Sequence, residues 1–180
     1  MHIIKLNAID STNSYLKELS AKQMVANFTV VVAENQINGR GQRGANWEVE
    51  KGKNLTFSVL IKDVLVSAEE VFNLNVLVAV SLFQTFLNIK IENLAIKWAN
   101  DILADKKKIC GILIENQFKS ASEILSIVGI GINVNQEHFI NLPQASSLKN
   151  SSGKEFNKEE VLMLFLSQFQ SNLALYKNEG

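Results

Sequence analysis

Residues 94–117 read LAIKWANDILADKKKICGILIENQ, and how they fold decides the architecture. LAIKW is a short β-prone run that passes through the polar AND into ILA. DKKK turns the chain and ICGILIENQ returns, the pattern of a hairpin. SEILSIVGIGINVN (122–135) follows at once as another long strand.

Upstream, SAEEVFNLNVLVAVSLFQTFLN (67–88) predicts a long helix capped by Ser67, with Glu69 and Glu70 in its first turn. Its apolar residues cover most of the circumference, so it packs on more than one side. HIIKLNAI (2–9) reads as a strand, and DSTNSYLKELS (10–20) as a helix capped by Asp10, Ser11 or Thr12 with Tyr15, Leu16 and Leu19 inward. FTVVVAE (28–34) is too apolar for a wet face and belongs centrally in a sheet. NLTFSVLIK (54–62) alternates, with Leu55, Phe57, Val59 and Ile61 on one face and Thr56, Ser58 and Leu60 on the other. Downstream, a loop with the single proline, Pro143, leads to NKEEVLMLFLSQFQSNLALYKN (157–178), where Val161, Phe165, Phe169, Leu173 and Tyr176 recur as a helical core stripe. Strands outnumber helices and run consecutively after the long helix. That order predicts an α+β fold, with helices laid on one face of a mixed β-sheet.

A chain of 180 residues, 47% of them hydrophobic, is sized for one globular domain with a proper core. Eighteen basic residues balance eighteen acidic ones, so no global positive field draws nucleic acid or an anionic membrane, and any phosphate-binding charge is local. Cys110 is the only cysteine and forms no internal disulfide; no apolar run is long enough to span a bilayer. The N-terminus does not read as a signal peptide, which makes the cytoplasm the expected location.

Three places are suited to chemistry. The loop AENQINGRGQRGANW (33–47) interleaves Gly39, Gly41 and Gly44 with Arg40 and Arg43. Glycines let backbone N–H groups approach an anion and arginine adds a planar fork of donors; a solvated surface turn has the same composition, and spacing alone leaves both readings open. In KWAND, Lys97, Asn100 and Asp101 lie at a strand end, where an amide and a carboxylate suit a hydrated magnesium ion beside a triphosphate. Lys106, Lys107 and Lys108 cluster at the next turn, a solvated edge by default, although Lys108 directly precedes the apolar strand and sits at the sheet's rim. Finally, Gly129 and Gly131 share one side of a buried strand, leaving a trough for a helix or a flat ligand, to which Gly111 of the neighbouring hairpin strand contributes if the register allows. Cys110, in an apolar strand, reads as packing rather than as a nucleophile.

Taken in order, DSTN, AENQ…GRGQRG..W, KWAND, KKKICGILIE and GIGINVN resemble the catalytic domain of biotin protein ligases over nearly the whole chain. The resemblance implies the mixed sheet with flanking helices that biotin and lipoate ligases share with class II aminoacyl-tRNA synthetases, and a single catalytic domain over 1–180. It implies activation of biotin by ATP with Mg²⁺, and transfer to a lysine of a biotin carboxyl carrier protein domain. By the same resemblance Ser11, Thr12, Asn13, Gln36, Gly39, Arg40, Gly41, Gln42, Lys108, Gly111 and Gly129 bind biotin. Arg40, Arg43, Trp47, Asn100 and Asn133 lie on the nucleotide side, Asp101 on the metal side, and Lys108, Arg40 and Arg43 are the catalytic cations. A homodimer is compatible with it; nucleic acid and membrane are not expected partners.

The chain departs from the family pattern at Ala99, where proline is usual, and at Gln42, where many relatives carry arginine. It also stops at LALYKNEG where relatives continue into a small β-barrel, and no helix-turn-helix precedes Met1, so a repressor role is not expected. The alternatives are a lipoate-type ligase on the same fold, a biotin-binding protein without turnover, and an RNA-binding module. The first lacks its arginine-arginine and triple-glycine element here. The last is disfavoured by the zero net charge.

Overall fold

The computed structural model describes residues 1–47, 49–62, 67, 70–118 and 124–179. Its strands are β1 (His2–Leu6), β2 (Thr29–Ala33), β3 (Leu55–Ile61), β4 (Leu94–Lys97), β5 (Asp101–Ala104), β6 (Lys107–Phe118) and β7 (Ile124–Ile132). The helices are α1 (Thr12–Lys22), α2 (Val71–Asn88), α3 (Leu148–Ser152) and α4 (Lys158–Glu179). The strands form a seven-stranded sheet of order β1-β2-β3-β7-β6-β5-β4. β1 and β2 are parallel, whereas β2–β3, β4–β5 and β5–β6 are antiparallel, so the sheet is mixed and the fold is α+β as expected.

The chain divides into two compact units, Met1–Val71 with Ile112–Gly131, and Phe72–Gly111 with Ile132–Gly180. In the first, Leu16 of α1 packs with Val25, Val31, Leu60, Leu125 and Ile127, and Ile4, Leu6, Tyr15 and Leu19 lie around that cluster. Each such aliphatic side chain contributes roughly 1.5–3 kcal/mol by leaving water. β2 is interior, as its sequence requires, but one strand in from the edge rather than at the centre. All seven residues of β3 are buried, so the face of Thr56, Ser58 and Leu60 is covered as well as the face of Leu55, Phe57, Val59 and Ile61. A buried hydroxyl needs a partner, and Ser58 finds its partners on α1, as described below.

In the second unit the hairpin reading of 94–117 holds. Asp105 and Lys106 both take positive φ, 49° and 64°, and turn β5 into β6. Only Lys106 of the lysine run is therefore in the turn, while Lys107 and Lys108 begin β6. α2 runs from Val71, and just before it Glu70 N–H donates to the Ser67 carbonyl at 3.3 Å; residues 68 and 69, with the expected acidic first turn at Glu69, lie outside the described residues. By length and composition alone α2 is apolar enough to cross a membrane, which corrects the expectation that no run reaches that size. It is built as a core helix: Leu74, Val78, Leu82 and Phe86 are fully buried. Asn172 of α4 donates to Ser81 Oγ and Gln84 Oε1, both at 2.8 Å, and Asn73 donates to the Tyr176 hydroxyl at 3.0 Å. In α4 the expected stripe of Val161, Phe165, Phe169 and Leu173 is buried, with Phe165 stacked on Phe169 at 5.5 Å between centroids.

The short helix α3 was not expected in the loop after Pro143. Five residues carry no periodicity, but its ends are marked: Ser147 Oγ accepts from Asn150 N–H at 3.1 Å, and Gly153 closes the helix at φ 70°.

Candidate active site

In the first unit the site grows from the N-terminus of α1. Ser11 is the cap residue, extended at φ −153°, which turns the chain from β1 into the helix and buries Ser11, Thr12 and Asn13 together. Ser11 Oγ accepts from Ser14 N–H as the cap, while Thr12 and Asn13 find polar partners from distant stretches of sequence. Gln36 Oε1 accepts from Thr12 N–H at 2.7 Å and from its hydroxyl at 3.0 Å. The Ser58 hydroxyl lies 2.7 Å from Thr12 Oγ1 and 2.6 Å from Asn13 Oδ1. The Asn13 amide nitrogen donates to Glu115 Oε2 at 2.7 Å and to the Leu113 carbonyl at 3.3 Å. Arg40 Nη2 then donates to the same Glu115 oxygen at 3.2 Å and to Ser14 Oγ at 3.0 Å. The result is a continuous polar circuit, Gln36–Thr12–Ser58–Asn13–Glu115–Arg40–Ser14, that runs from the buried start of α1 out to the half-exposed Arg40.

The glycine loop is a small hairpin pressed against this circuit. Trp47 N–H donates to the Gly39 carbonyl at 2.8 Å and Gly41 N–H to the Ala45 carbonyl at 2.6 Å, with a 3-10 turn at Gln42–Gly44 for its tip. Gly39 is required because a Cβ there would strike the Trp47 carbonyl oxygen. Gln36, Gly39, Arg40 and Trp47 line an open cavity of about 240 Å³. The Arg43 side chain lies outside the described residues.

The glycine trough on β7 is real, and the chain fills it with its own side chains. Asn13 lies against Gly129, and the Trp47 indole lies against Gly131, each where a Cβ would otherwise stand. Trp47 thus packs on β7 while it lines the cavity.

In the second unit, Lys108 Nζ lies 2.7 Å from Asp101 Oδ1, and Lys97 Nζ lies 3.6 Å from Oδ2. The carboxylate expected on the metal side is thus held between two ammonium groups. Gly111 pairs with Asp101 across β5 and β6. The Asn133 side chain is buried and donates to the Ser146 carbonyl at 2.9 Å, while its own carbonyl accepts from Leu148 N–H at 2.9 Å. Asn133 therefore anchors the loop before α3. Asn100 sits in the half-buried turn between β4 and β5, beside the cis peptide bond Trp98–Ala99. Burial pushes the Cys110 thiol far above its ordinary range, in keeping with packing rather than reactivity. Among the described residues no cluster of three His, Cys, Asp or Glu side chains is placed to hold a metal.

Three members of the circuit were not anticipated from sequence: Ser14, Ser58 and Glu115. Ser58 is a hydroxyl in a mostly apolar strand and Glu115 is the one acid of β6, so each carried a signal. What sequence does not show is that they meet.

A family model described as the biotin/lipoate A/B protein ligase family matches residues 6–135. A protein of Bacillus spizizenii named bifunctional ligase/repressor BirA is 32% identical over 184 residues, covering 99% of this chain and 56% of that protein. A Mycobacterium tuberculosis biotin--[acetyl-CoA-carboxylase] ligase is 24% identical over 171 residues, covering 93% of this chain and 62% of that protein. The chain thus spans little more than half the length of these relatives. A solved structure of the Aquifex aeolicus biotin protein ligase in complex with biotin and ATP superposes with a TM-score of 0.83 at 30% identity, covering 99% of this chain and 73% of that one. With the family model matching well over half of its length, the chain belongs to the biotin/lipoate A/B protein ligase family, in its biotin protein ligase branch.

Proposed function

We propose that residues 1–180 form the catalytic domain of an ATP-dependent biotin protein ligase, which makes biotinyl-5′-AMP and transfers biotin to a lysine of a biotin carboxyl carrier protein domain. The observation that carries this reading is the polar circuit of Thr12, Asn13, Gln36 and Ser58. Directed donors and acceptors at the buried start of α1, beside the cavity that Gln36 and Trp47 line, suit a compact ligand with a polar ureido ring and an apolar body. Ser11, Thr12, Asn13, Gln36, Gly39, Gly41, Gln42, Gly111 and Gly129 are the residues we assign to biotin. Trp47, Asn100 and Asn133 are assigned to the nucleotide side, Asn133 through the loop it anchors.

In the first step a carboxylate oxygen of biotin attacks the α-phosphorus of ATP, and the bond to pyrophosphate breaks. Two anions must meet, so cations carry the catalysis by position and charge. Lys108, Arg40 and Arg43 are the residues we assign to it. In the second step the carrier lysine amine attacks the acyl carbon, AMP leaves with the bonding electrons, and the amine sheds a proton. The glycine loop shields the mixed anhydride from water between the two steps. Asp101 alone, already holding two lysines, does not make a protein cage for magnesium. Mg²⁺ is therefore read as arriving with ATP, as the substrate complex.

A single buried cysteine fits a cytoplasmic setting, and a homodimer is compatible with the proposal. Thermal-shift titration with biotin and with lipoate, each with MgATP, tests substrate choice. Stabilisation by biotin alone is expected; stabilisation by lipoate alone would replace the reading with a lipoate-type ligase.

A further inference from the structure

Glu115 is the one carboxylate in the polar circuit, and the proposed reaction makes no use of its charge. We propose that Glu115 is a positioning residue with two duties: it orients the Asn13 carboxamide, and it holds Arg40 of the glycine loop until an anionic ligand takes that arginine over. The inference rests on the biotin-ligase reading of the same site and adds a residue and a competition to it.

The first duty follows from hydrogen-bond polarity. A carboxylate only accepts, so the end of Asn13 that faces Glu115 Oε2 at 2.7 Å must be its NH₂. The Leu113 carbonyl, 3.3 Å from the same nitrogen, makes the same demand. Asn13 Oδ1 is thereby turned to the Ser58 hydroxyl at 2.6 Å, and the flipped amide would set acceptor against acceptor.

The second duty follows from the geometry at Arg40. Its Nη2 is shared between Ser14 Oγ at 3.0 Å and Glu115 Oε2 at 3.2 Å. This is a one-nitrogen contact to a single carboxylate oxygen, and the arginine side chain is 46% exposed. Such a pair holds weakly. A ligand carboxylate or phosphate that takes both prongs of the guanidinium fork forms the stronger contact. Glu115 therefore taxes anionic ligands, which must displace it from Arg40, and does not tax a neutral ligand that uses only the ring-reading end of the pocket.

Glu115→Gln separates the two duties, because glutamine keeps an acceptor for Asn13 and loses the charge toward Arg40. Hydrogen exchange on the ligand-free protein reads the loop directly: the Gly41 and Trp47 amides should exchange several-fold faster in Glu115→Gln than in the parent. Calorimetry with biotin and with neutral biotin amide reads the competition. Glu115→Gln should bind biotin roughly two- to fivefold more tightly, the scale of an exposed ion pair, and biotin amide unchanged. Glu115→Ala, which also frees Asn13, should weaken biotin amide. Unchanged loop exchange in Glu115→Gln would overturn the latch, and faster exchange with an unchanged ratio of biotin to biotin amide affinity would overturn the competition. Failure of the parent to bind either compound would remove the ligase reading, while the exchange comparison would still decide the latch.

Discussion

The carboxamide of Asn13 rests on the α-carbon of Gly129, in the space where any other residue at 129 would carry its Cβ. One residue comes from the start of α1 and the other from β7, yet each explains the other: the strand needs a glycine because the helix start delivers an amide to it.

Gly129→Ala should therefore act on ligand binding more than on folding. The added methyl displaces Asn13 and breaks its contacts with Ser58 and Glu115, at an overpacking cost of about 1–3 kcal/mol. Calorimetry should show at least a tenfold loss of biotin affinity in a protein that still melts cooperatively. Parent-like affinity would remove Asn13 from the ligand site.

Ser58→Ala takes away the hydroxyl shared by Thr12 and Asn13, inside a fully buried strand. A buried acceptor left without its donor costs about 1–3 kcal/mol, so denaturant unfolding should give a lower midpoint with an unchanged slope. Biotin affinity should fall with it.

Lys108→Ala should depress adenylate formation by about 10²-fold or more, the scale set by losing one electrostatic contact to a transition state. The change in stability should be small, because its partner Asp101 keeps Lys97 within 3.6 Å. Pyrophosphate release measures the first and thermal melting the second. An unchanged rate would exclude Lys108 from the reacting centre.

Cys110 makes a prediction about alkali. Burial raises its thiol pKa in the folded chain above the unfolded value of about 8.5. Folding therefore favours the protonated thiol, and its contribution to stability is complete below that pH. Above it the unfolded chain ionises first and stability falls with rising pH. Cys110→Ala should flatten this part of the profile in denaturant melts taken from pH 8 to 10; a parallel profile would refute the assignment. Iodoacetamide should leave the native thiol unmodified.

Much of this was legible in the sequence. The hairpin of 94–117, a helix capped by one of Asp10, Ser11 and Thr12, and the stripe on α4 follow from periodicity, turn residues and caps, and the structure has them, with Ser11 as the cap. The glycines of β7 announced a trough, since a missing side chain is visible in sequence. The occupants of that trough were not visible, because Asn13 and Trp47 reach it from distant segments. Ser58 was hidden for a related reason: alternation puts it on one face of β3 with Thr56 and Leu60, and only the helix start lying on it makes it a partner of Thr12 and Asn13. Glu115 is one acid in a long strand, and nothing local to it tells that Arg40 and Asn13 both meet it. Local physics thus sets the elements, and the long-range polar pairs are set by how the segments fold together.

The most direct test of the central claim is mass spectrometry of a carrier domain after incubation with this chain, biotin and MgATP. The account predicts one added biotinyl group on a single carrier lysine, lost when ATP is omitted and strongly reduced with Lys108→Ala. An unmodified carrier, with no biotinyl-5′-AMP detected in the reaction, would contradict it.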